Sequence, residues 1–455
     1  MLQKDNCKIS SEFINSICET FKENNRIDPD VYSNFSVKRG LRNADGTGVV
    51  AGVTLIGNVH GYLINEGDVM PIPGELIYRG IDIKDIVSAS IKENRFAFEE
   101  VVYLLLIGKL PTREQLTSFK HLLEDARELP ERFTEDVLIN QPSFNIMNKL
   151  QQSILSLYPY DPNPDDCSLP NIMRQSLELI ARFPTIITRA YQVKKYYYDK
   201  VSMNLHYQKP GLSTAESFLY AMRPDHQYTP LEARILDLAL VLHAEHGGGN
   251  NSAFTCRVLS SSGTDTYSAI SAAIGSLKGP KHGGANIKVE NMFNTIKENV
   301  KDWEDDEEID AFLGKLIRKE AGDGSGLIYG MGHAIYTISD PRAVMLRDHA
   351  AALAKQKGME AEFNLLNKIE KLTPAAFKKY KGSNKQMCAN VDLYSGLIYK
   401  MLEIPEELYT PLFAMARIAG WSAHRIEEVM TGGRIIRPAY KAVAKPGKYI
   451  PIDER

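Results

Sequence analysis

Three histidines set beside glycines mark the chemistry-bearing positions of this 455-residue chain. His246 stands in His243-Ala-Glu-His246-Gly-Gly-Gly-Asn250, His282 in Gly279-Pro-Lys-His282-Gly-Gly-Ala-Asn286, and His333 follows Gly330-Met-Gly332. An imidazole at a helix end followed by glycines can meet a ligand closely, because glycine accepts unusual turn conformations and leaves no side chain in the way. Arginines and an acid extend the set. Asp340-Pro-Arg342 reads as a helix start, with an acidic cap, a proline in the first turn and an arginine beside the free amides, which suits a carboxylate or phosphate. Arg417 lies among apolar residues in Phe413-Ala-Met-Ala-Arg417-Ile-Ala-Gly-Trp421, and a buried guanidinium there needs an anion, either an internal acid or a bound carboxylate. Asp392, in Asn390-Val-Asp392, opens a helix and has N-cap as its default role. Arg434 and Arg437 follow in an extended tail.

The elements that must position these residues are mainly helical. In residues 230–245, Leu231, Ile235, Leu238 and Leu242 share one face, with His246 near the same stripe as the glycines stop the helix. A second helix, residues 264–277 with Thr264 or Asp265 as cap, links the two histidine motifs. Further helices are expected at 9–23, 83–92, 96–107, 112–128, 133–139, 144–156, 170–198, 287–300, 309–320, from Asp392, and from Thr410-Pro411, with Pro184 ending or kinking the long one. Residues 49–50, 53–56, 61–64 and 75–78 read as two or three short strands forming the one sheet. Residues 322–332 form a glycine-dense loop with neither the strand-to-helix context of a dinucleotide turn nor a Gly-Lys-Ser/Thr, so it reads as a loop delivering His333. Residues 378–385 read as a lysine-rich loop.

Composition excludes several classes. Lys and Arg number 54 against 57 acids, a net charge of -3 that offers nucleic acid no field. The five cysteines, Cys7, Cys18, Cys167, Cys256 and Cys388, are widely spaced and odd in number, which fits reduced thiols rather than a disulfide framework or a structural zinc site. The N-terminus lacks an apolar signal-like stretch, and the longest apolar run, residues 101–107, is too short to span a bilayer. A protein without membrane segments, located in the cytoplasm, is the expectation.

Six motifs in order, from Gly74-Glu-Leu-Ile-Tyr-Arg-Gly80 onward to Arg437-Pro438, resemble the citrate synthase family of the bacterial type. They are His246-Gly-Gly-Gly-Asn250, Gly279-Pro-Lys-His282-Gly-Gly-Ala-Asn286, Gly330-Met-Gly-His333-Ala, Asp340-Pro-Arg342, Asn390-Val-Asp392 and Arg417 after Phe413-Ala-Met-Ala. The resemblance implies a mainly α, multi-helical fold of two domains with a small N-terminal β region: residues 1–283 and 404–455 as the large domain, residues 284–403 as the small one. It implies a homodimer that condenses acetyl-CoA with oxaloacetate and hydrolyses the thioester to citrate and CoA, with acetyl-CoA as a substrate and no cofactor or metal. Asp392 would be the base, His282 the donor to the thioester carbonyl, and His333 the acid on the keto oxygen. His246, Arg342 and Arg417 would hold oxaloacetate, with Arg437 reaching across from the other subunit. Leu327, Ile328, Tyr329, Gly330 and Met331 would line the adenine end of CoA. Where many relatives carry a CoA-contacting arginine, this chain has Ile335-Tyr-Thr-Ile-Ser339, so Lys378, Lys379, Lys381 or Lys385 are expected to meet the CoA phosphates. Lys281 and Tyr329 also stand where relatives often have an apolar residue and a proline.

The chemistry calls for these residue types. A thioester methyl is a weak carbon acid, so a carboxylate removes its proton only if a donor in a dry pocket stabilises the enolate oxygen. Two substrate carboxylates call for fixed arginines rather than mobile lysines. Asp392 at a helix start faces a conflict, since the helix N-terminus weakens its proton affinity, and closure and apolar packing are expected to offset that. Three other readings share these residues: 2-methylcitrate synthase using propionyl-CoA, a metal-dependent hydrolase built on His243, Glu245, His246 and His282, and a helical scaffold without catalysis.

Overall fold

The computed structural model describes residues 10–25, 27–43, 45–65, 68–384, 386–444 and 446–455. Cys7, Lys385 and the expected helix start at residue 9 lie outside them. By their contacts they fall into two units, Thr54–Ile436 and a second one that joins Met1–Val53 to Arg437–Arg455. In the second unit the first helix runs Ser11–Asn24, capped by Ser10, which accepts from the Phe13 amide. None of its residues is buried, and Phe13, Ile17 and Phe21 are exposed.

In the Thr54–Ile436 unit the helix Tyr409–Met430 is the hub. From Tyr409 to Ile426 all but Phe413 are buried, and a helix buried on every side belongs at the centre of a core. It packs on Phe98–Ile107, Leu169–Lys194, Pro230–His243, Asn251–Ser260 and Thr266–Lys278. Its small residues permit close approach: the Gly420 amide donates to the Ala244 carbonyl at 3.1 Å. Beyond His282 another group of helices packs together, Asp306–Ile317 on Glu360–Lys381, and both Ala285–Asn299 and Pro341–Lys357 on Val391–Met401. Pro341–Lys357 also packs on Pro230–His243, joining the two groups.

Among the described residues one sheet forms, an antiparallel meander of β1 (Gly57–Asn65), β2 (Asp68–Tyr78) and β3 (Ile81–Asp82). Residues 49–50 and 53–56, expected as strands, are not. Val50, Val53 and Leu55 are exposed, and the Leu55 amide donates to the Glu427 carboxylate at 2.8 Å instead of to a neighbouring strand. The hairpin presses its glycines onto the segment after His333. A side chain at Gly74 would sit 2.2 Å from the Ser339 carbonyl, and one at Gly61 would sit 2.8 Å from that of Ile335. Glycine inside a strand marks such close approach of another backbone.

Two further expectations are corrected. Pro184 does not end its helix: Leu169–Lys194 continues through it, with Ile180, Phe183, Ile186 and Ile187 buried on both sides of it. Burial on the scale of ~1.5–3 kcal/mol per large apolar side chain outweighs the ~3 kcal/mol cost of an interior proline. The lysine-rich stretch is not a loop up to Lys381: Lys378, Lys379 and Lys381 form the last turn of Glu360–Lys381, where cations suit the helix C-terminus, and Gly382 in the left-handed conformation closes it.

Candidate active site

Arg417 is fully buried on the hub helix. Its Nε donates to the His243 carbonyl at 2.7 Å and its guanidinium lies over the Phe413 ring, one turn earlier, at 4.8 Å. Nη1 and Nη2 have no partner. Burial pushes its pKa down to about 10, with Glu245 the first acid opposing that, so it stays a cation at neutral pH. Two desolvated donors of a cation with nothing to receive them are costly unless an anion arrives.

Arg342 sits in the first turn of Pro341–Lys357, which Asp340 caps as the sequence suggests. The pair is a fork: Nε to Oδ1 at 3.0 Å and Nη2 to Oδ2 at 2.7 Å, with Nη1 outside it. Burial opposes the charge, but Asp340 overcomes it and holds the pKa above the ordinary arginine value. The internal acid that the sequence left open for Arg417 is thus found on Arg342.

Around these cations stand the histidines. The helix Pro230–His243 ends one turn before His246, which is buried, with Nε2 lacking a partner. Burial, then Arg342, His333 and Arg417, hold its pKa well below the ordinary value, so the ring is neutral. The His333 ring meets it edge-on at 5.2 Å and stacks on Tyr336 at 4.7 Å. His333 Nδ1 accepts the amides of Ile335 and Tyr336 at 3.1 and 3.2 Å, so the ring proton sits on Nε2. Tyr336 is itself fixed by donating to the Glu75 carbonyl of β2 at 3.1 Å. The hairpin glycines therefore serve His333 by letting β1 and β2 close on its supporting segment.

His282 lies past the helix Thr266–Lys278, in a turn that needs glycine: a side chain at Gly283 would stand 2.2 Å from the Leu277 carbonyl. Burial, then Arg417, push its pKa down to about 4. Its Nε2 is 3.1 Å from Ser252 Oγ, which also accepts the Trp421 indole N–H at 3.1 Å and contacts the Asn250 amide at 2.9 Å. The indole can only donate, so the single hydroxyl proton goes to Asn250 or to His282.

Asp392 is not the N-cap of its helix. Asn390 caps Val391–Met401 by accepting the Asp392 amide at 3.0 Å, which leaves the Asp392 carboxyl free of capping. Burial raises its pKa to about 6; Arg342 and Arg417 pull the other way and Asp340 adds to the rise. Burial outweighs the helix N-terminus and the two arginines, as the apolar packing expected from sequence requires. The loop bearing His333 is stitched to this helix start. The Gly332 amide donates to the Cys388 carbonyl and the Asn390 amide to that of Gly330, each at 2.8 Å, and Asn390 Nδ2 donates to the Gly332 carbonyl at 2.9 Å. Gly330 has φ +82°, and a side chain there would meet the Leu393 backbone at 2.9 Å.

Arg417 thus acts electrostatically on His243, His246, His282 and Asp392, and Arg342 on all of these but His282. Arg437 is exposed and belongs to the other compact unit. In the expected CoA stretch Ile328 is buried and Leu327 exposed, while Tyr329 donates to Asp323 at 2.5 Å and receives Lys288 at 3.2 Å. Of the lysines expected to meet phosphates, Lys379 is engaged with Asp310 at 2.6 Å and Lys381 lies over the Phe377 ring. His243 does not form a metal site: its Nε2 pairs with the Tyr399 hydroxyl at 2.9 Å, and among the described residues no three His, Cys, Asp or Glu could hold an ion together. Sequence reasoning missed Ser252, Tyr336, Tyr399 and Asn390 as supports; only Gly61 and Gly74 hinted at the contact that holds Tyr336.

Comparison with known proteins gives the family. The family model "Citrate synthase, C-terminal domain" matches residues 46–439. The chain is 34% identical over 402 residues to the citrate synthase of Deinococcus radiodurans, covering 87% of this chain and 98% of that protein. It is 33% identical over 398 residues to the 2-methylcitrate synthase of Shewanella oneidensis, covering 84% and 92%. Its structure superposes with a TM-score of 0.74, at 27% identity over 92% of this chain and 99% of the other, on the citrate synthase of Thermoplasma acidophilum in ternary complex with carboxymethyl coenzyme A and oxaloacetate. No helix among the described residues is long and apolar enough to cross a membrane. The chain therefore belongs to the citrate synthase family and is an acyltransferase that forms a carbon–carbon bond.

Proposed function

We propose that the chain condenses acetyl-CoA with oxaloacetate and hydrolyses the resulting thioester to citrate and CoA. The observation that carries this reading is the pair of buried, unpartnered guanidinium nitrogens on Arg417, next to a neutral His246 and a carboxyl whose pKa is raised to about 6. Arg417, Arg342 and His246 hold the keto diacid. Ionised Asp392 takes a proton from the acyl methyl. His282 accepts at Nε2 the hydrogen bond of the Ser252 hydroxyl, turned to it from Asn250 Oδ1, keeps its own proton on Nδ1 and donates through Nδ1 to the thioester oxygen as it gains charge; a neutral donor is available because its pKa is depressed to about 4. The new carbanion attacks the keto carbon, whose oxygen takes the Nε2 proton of His333. Water then cleaves the citryl thioester, releasing CoA. Leu327 to Met331 line the adenine end of CoA, and Lys378 is the remaining lysine of its helix end for the phosphates. A small domain of residues 284–403 closes on the rest, supported by the way its helices pack on one another. A homodimer in which Arg437 crosses to the partner's site, working in the cytoplasm, completes the proposal.

Release of free CoA thiol from acetyl-CoA with oxaloacetate tests it. Acetyl-CoA is expected to react at least ~10-fold faster than propionyl-CoA, the scale of one methylene in a shaped pocket. Propionyl-CoA reacting faster would transfer the chain to the 2-methylcitrate branch, and thiol release from neither would refute both.

The pH profile should show an acid limb set by Asp392. Its proton affinity is raised to about 6 in the folded protein, so below that pH the protonated, inactive form accumulates. The rate at limiting substrate should fall ~10-fold per pH unit below about 6. His282, depressed to about 4, stays neutral over the first pH unit of that limb. A limb centred near 4 would remove Asp392 from the role of base.

A further inference from the structure

One buried acid at the site has no task in this scheme. Glu245 precedes His246, is fully buried and stays ionised. Its Oε1 accepts the Gly247 amide at 2.6 Å and His424 Nε2 at 2.8 Å, while its Oε2 has no partner. The His424 tautomer follows from its other side: Arg257 donates to Nδ1 through Nε at 3.1 Å and Nη2 at 2.7 Å, and a guanidinium cannot accept, so the ring proton lies on Nε2 and points at Glu245. Arg257 is in turn paired with Glu427 and, at 2.8 Å, with Glu428. Backbone has been cleared for this chain of groups. A side chain at Gly57 would stand 2.9 Å from Glu245 Cγ, one at Gly420 would stand 2.3 Å from its Oε2, and one at Gly248 would press on Arg257 and His424 at 3.2 and 3.3 Å.

We propose that Glu245 is a positioning residue that acts through Arg417: a permanent, non-contacting counter-ion that balances the guanidinium's charge in the empty pocket while leaving Nη1 and Nη2 for the substrate carboxylate. The two groups attract, yet no hydrogen bond joins them, since Oε2 and both Nη atoms are without partners. A contacting carboxylate, such as Asp340 on Arg342, would occupy the fork. A non-contacting one keeps the fork open and also repels every anion that enters. Glu245 therefore weakens the site for the keto diacid and more so for the triacid product, which favours product release. This inference rests on the proposed function, because it takes Arg417 as the carboxylate receiver.

The test is calorimetric titration of oxaloacetate and of citrate, each without acyl-CoA, into the full chain. Glu245→Gln keeps the shape and an oxygen to accept both Oε1 hydrogen bonds but removes the charge; it is expected to bind oxaloacetate ~3- to 30-fold more tightly and to gain more for citrate, with kcat not raised. Arg257→Gln removes the cation behind the same carboxylate and is expected to weaken oxaloacetate ~2- to 5-fold and the triacid citrate by more, a loss graded by ligand charge that decides the matter if Glu245→Gln does not fold. A purely structural role predicts weaker binding in both variants, with no grading by ligand charge. Equal or weaker affinity in folded Glu245→Gln, or unchanged affinity in Arg257→Gln, overturns the inference. Wild-type chain that binds no oxaloacetate would instead overturn the function it rests on.

Discussion

Asp392→Asn is expected to lower kcat by ~10³-fold or more while the chain becomes more stable. The loss follows from the role of base: positioned proton transfer contributes ~10²–10⁴-fold, and an amide cannot accept the methyl proton. The helix start should survive, because the capping bond runs from the Asp392 backbone amide to Asn390, and the side chain takes no part in it. The gain in stability has a definite sign and pH window. Folding raises the carboxyl from 3.8 to about 6, so above pH 6 the folded state carries a charge that its surroundings disfavour. That costs on the order of 2–3 kcal/mol at neutral pH and nothing below the unfolded value. Thermal melts should place the variant above wild type at pH 8 and level with it near pH 3. A variant that keeps more than a few per cent of activity would remove Asp392 from the chemistry, and one that melts lower at pH 8 would show that burial is not what raises its proton affinity.

Arg417→Leu is expected to raise the KM for oxaloacetate ~100-fold or more and to leave that for acetyl-CoA within about threefold. Truncating one partner of a buried, hydrogen-bonded charge pair costs ~2–5 kcal/mol, and here both free nitrogens would be lost at once. Arg417→Lys should rescue little. An ammonium keeps the charge but lacks the planar fork, and the Nε bond to the His243 carbonyl at 2.7 Å shows how the guanidinium is oriented. Steady-state kinetics with each substrate varied in turn distinguishes the two constants. An oxaloacetate KM within threefold of wild type would mean that the unpartnered nitrogens serve some other anion.

What could be read from the sequence was local. His282 past a helix closed by Gly279, Asp340 as a cap placing Arg342 in the first turn, and Asp265 as the cap of Thr266–Lys278 all depend on a few neighbouring residues, and all stand; the glycines after His246 do not stop the helix before it, which ends at His243 with Ala244 as its cap. The helical class was legible for the same reason. What escaped depends on distant chain. Asn390 and Asp392 are equally good caps by type, and the choice between them is made by the stitching of Asn390 to Gly330 and Gly332. Pro184 reads as a break until the burial on both sides is known. Val50 and Val53 have strand-forming side chains but no strand to pair with. Arg342 has its bonded acid two residues away at Asp340, whereas nothing near Arg417 announces that its one bonded acceptor is a carbonyl 174 residues away.

The bonds that stitch Gly330 and Gly332 to Cys388 and Asn390 also bear on motion. They fasten the bearer of His333 and the bearer of Asp392 into one jig. Any rocking of that part of the chain carries the side chains proposed to give and to take the proton as a single piece. Only their distance from whatever lies opposite can change, so such an enzyme can pause between turnovers without its acid and base drifting apart.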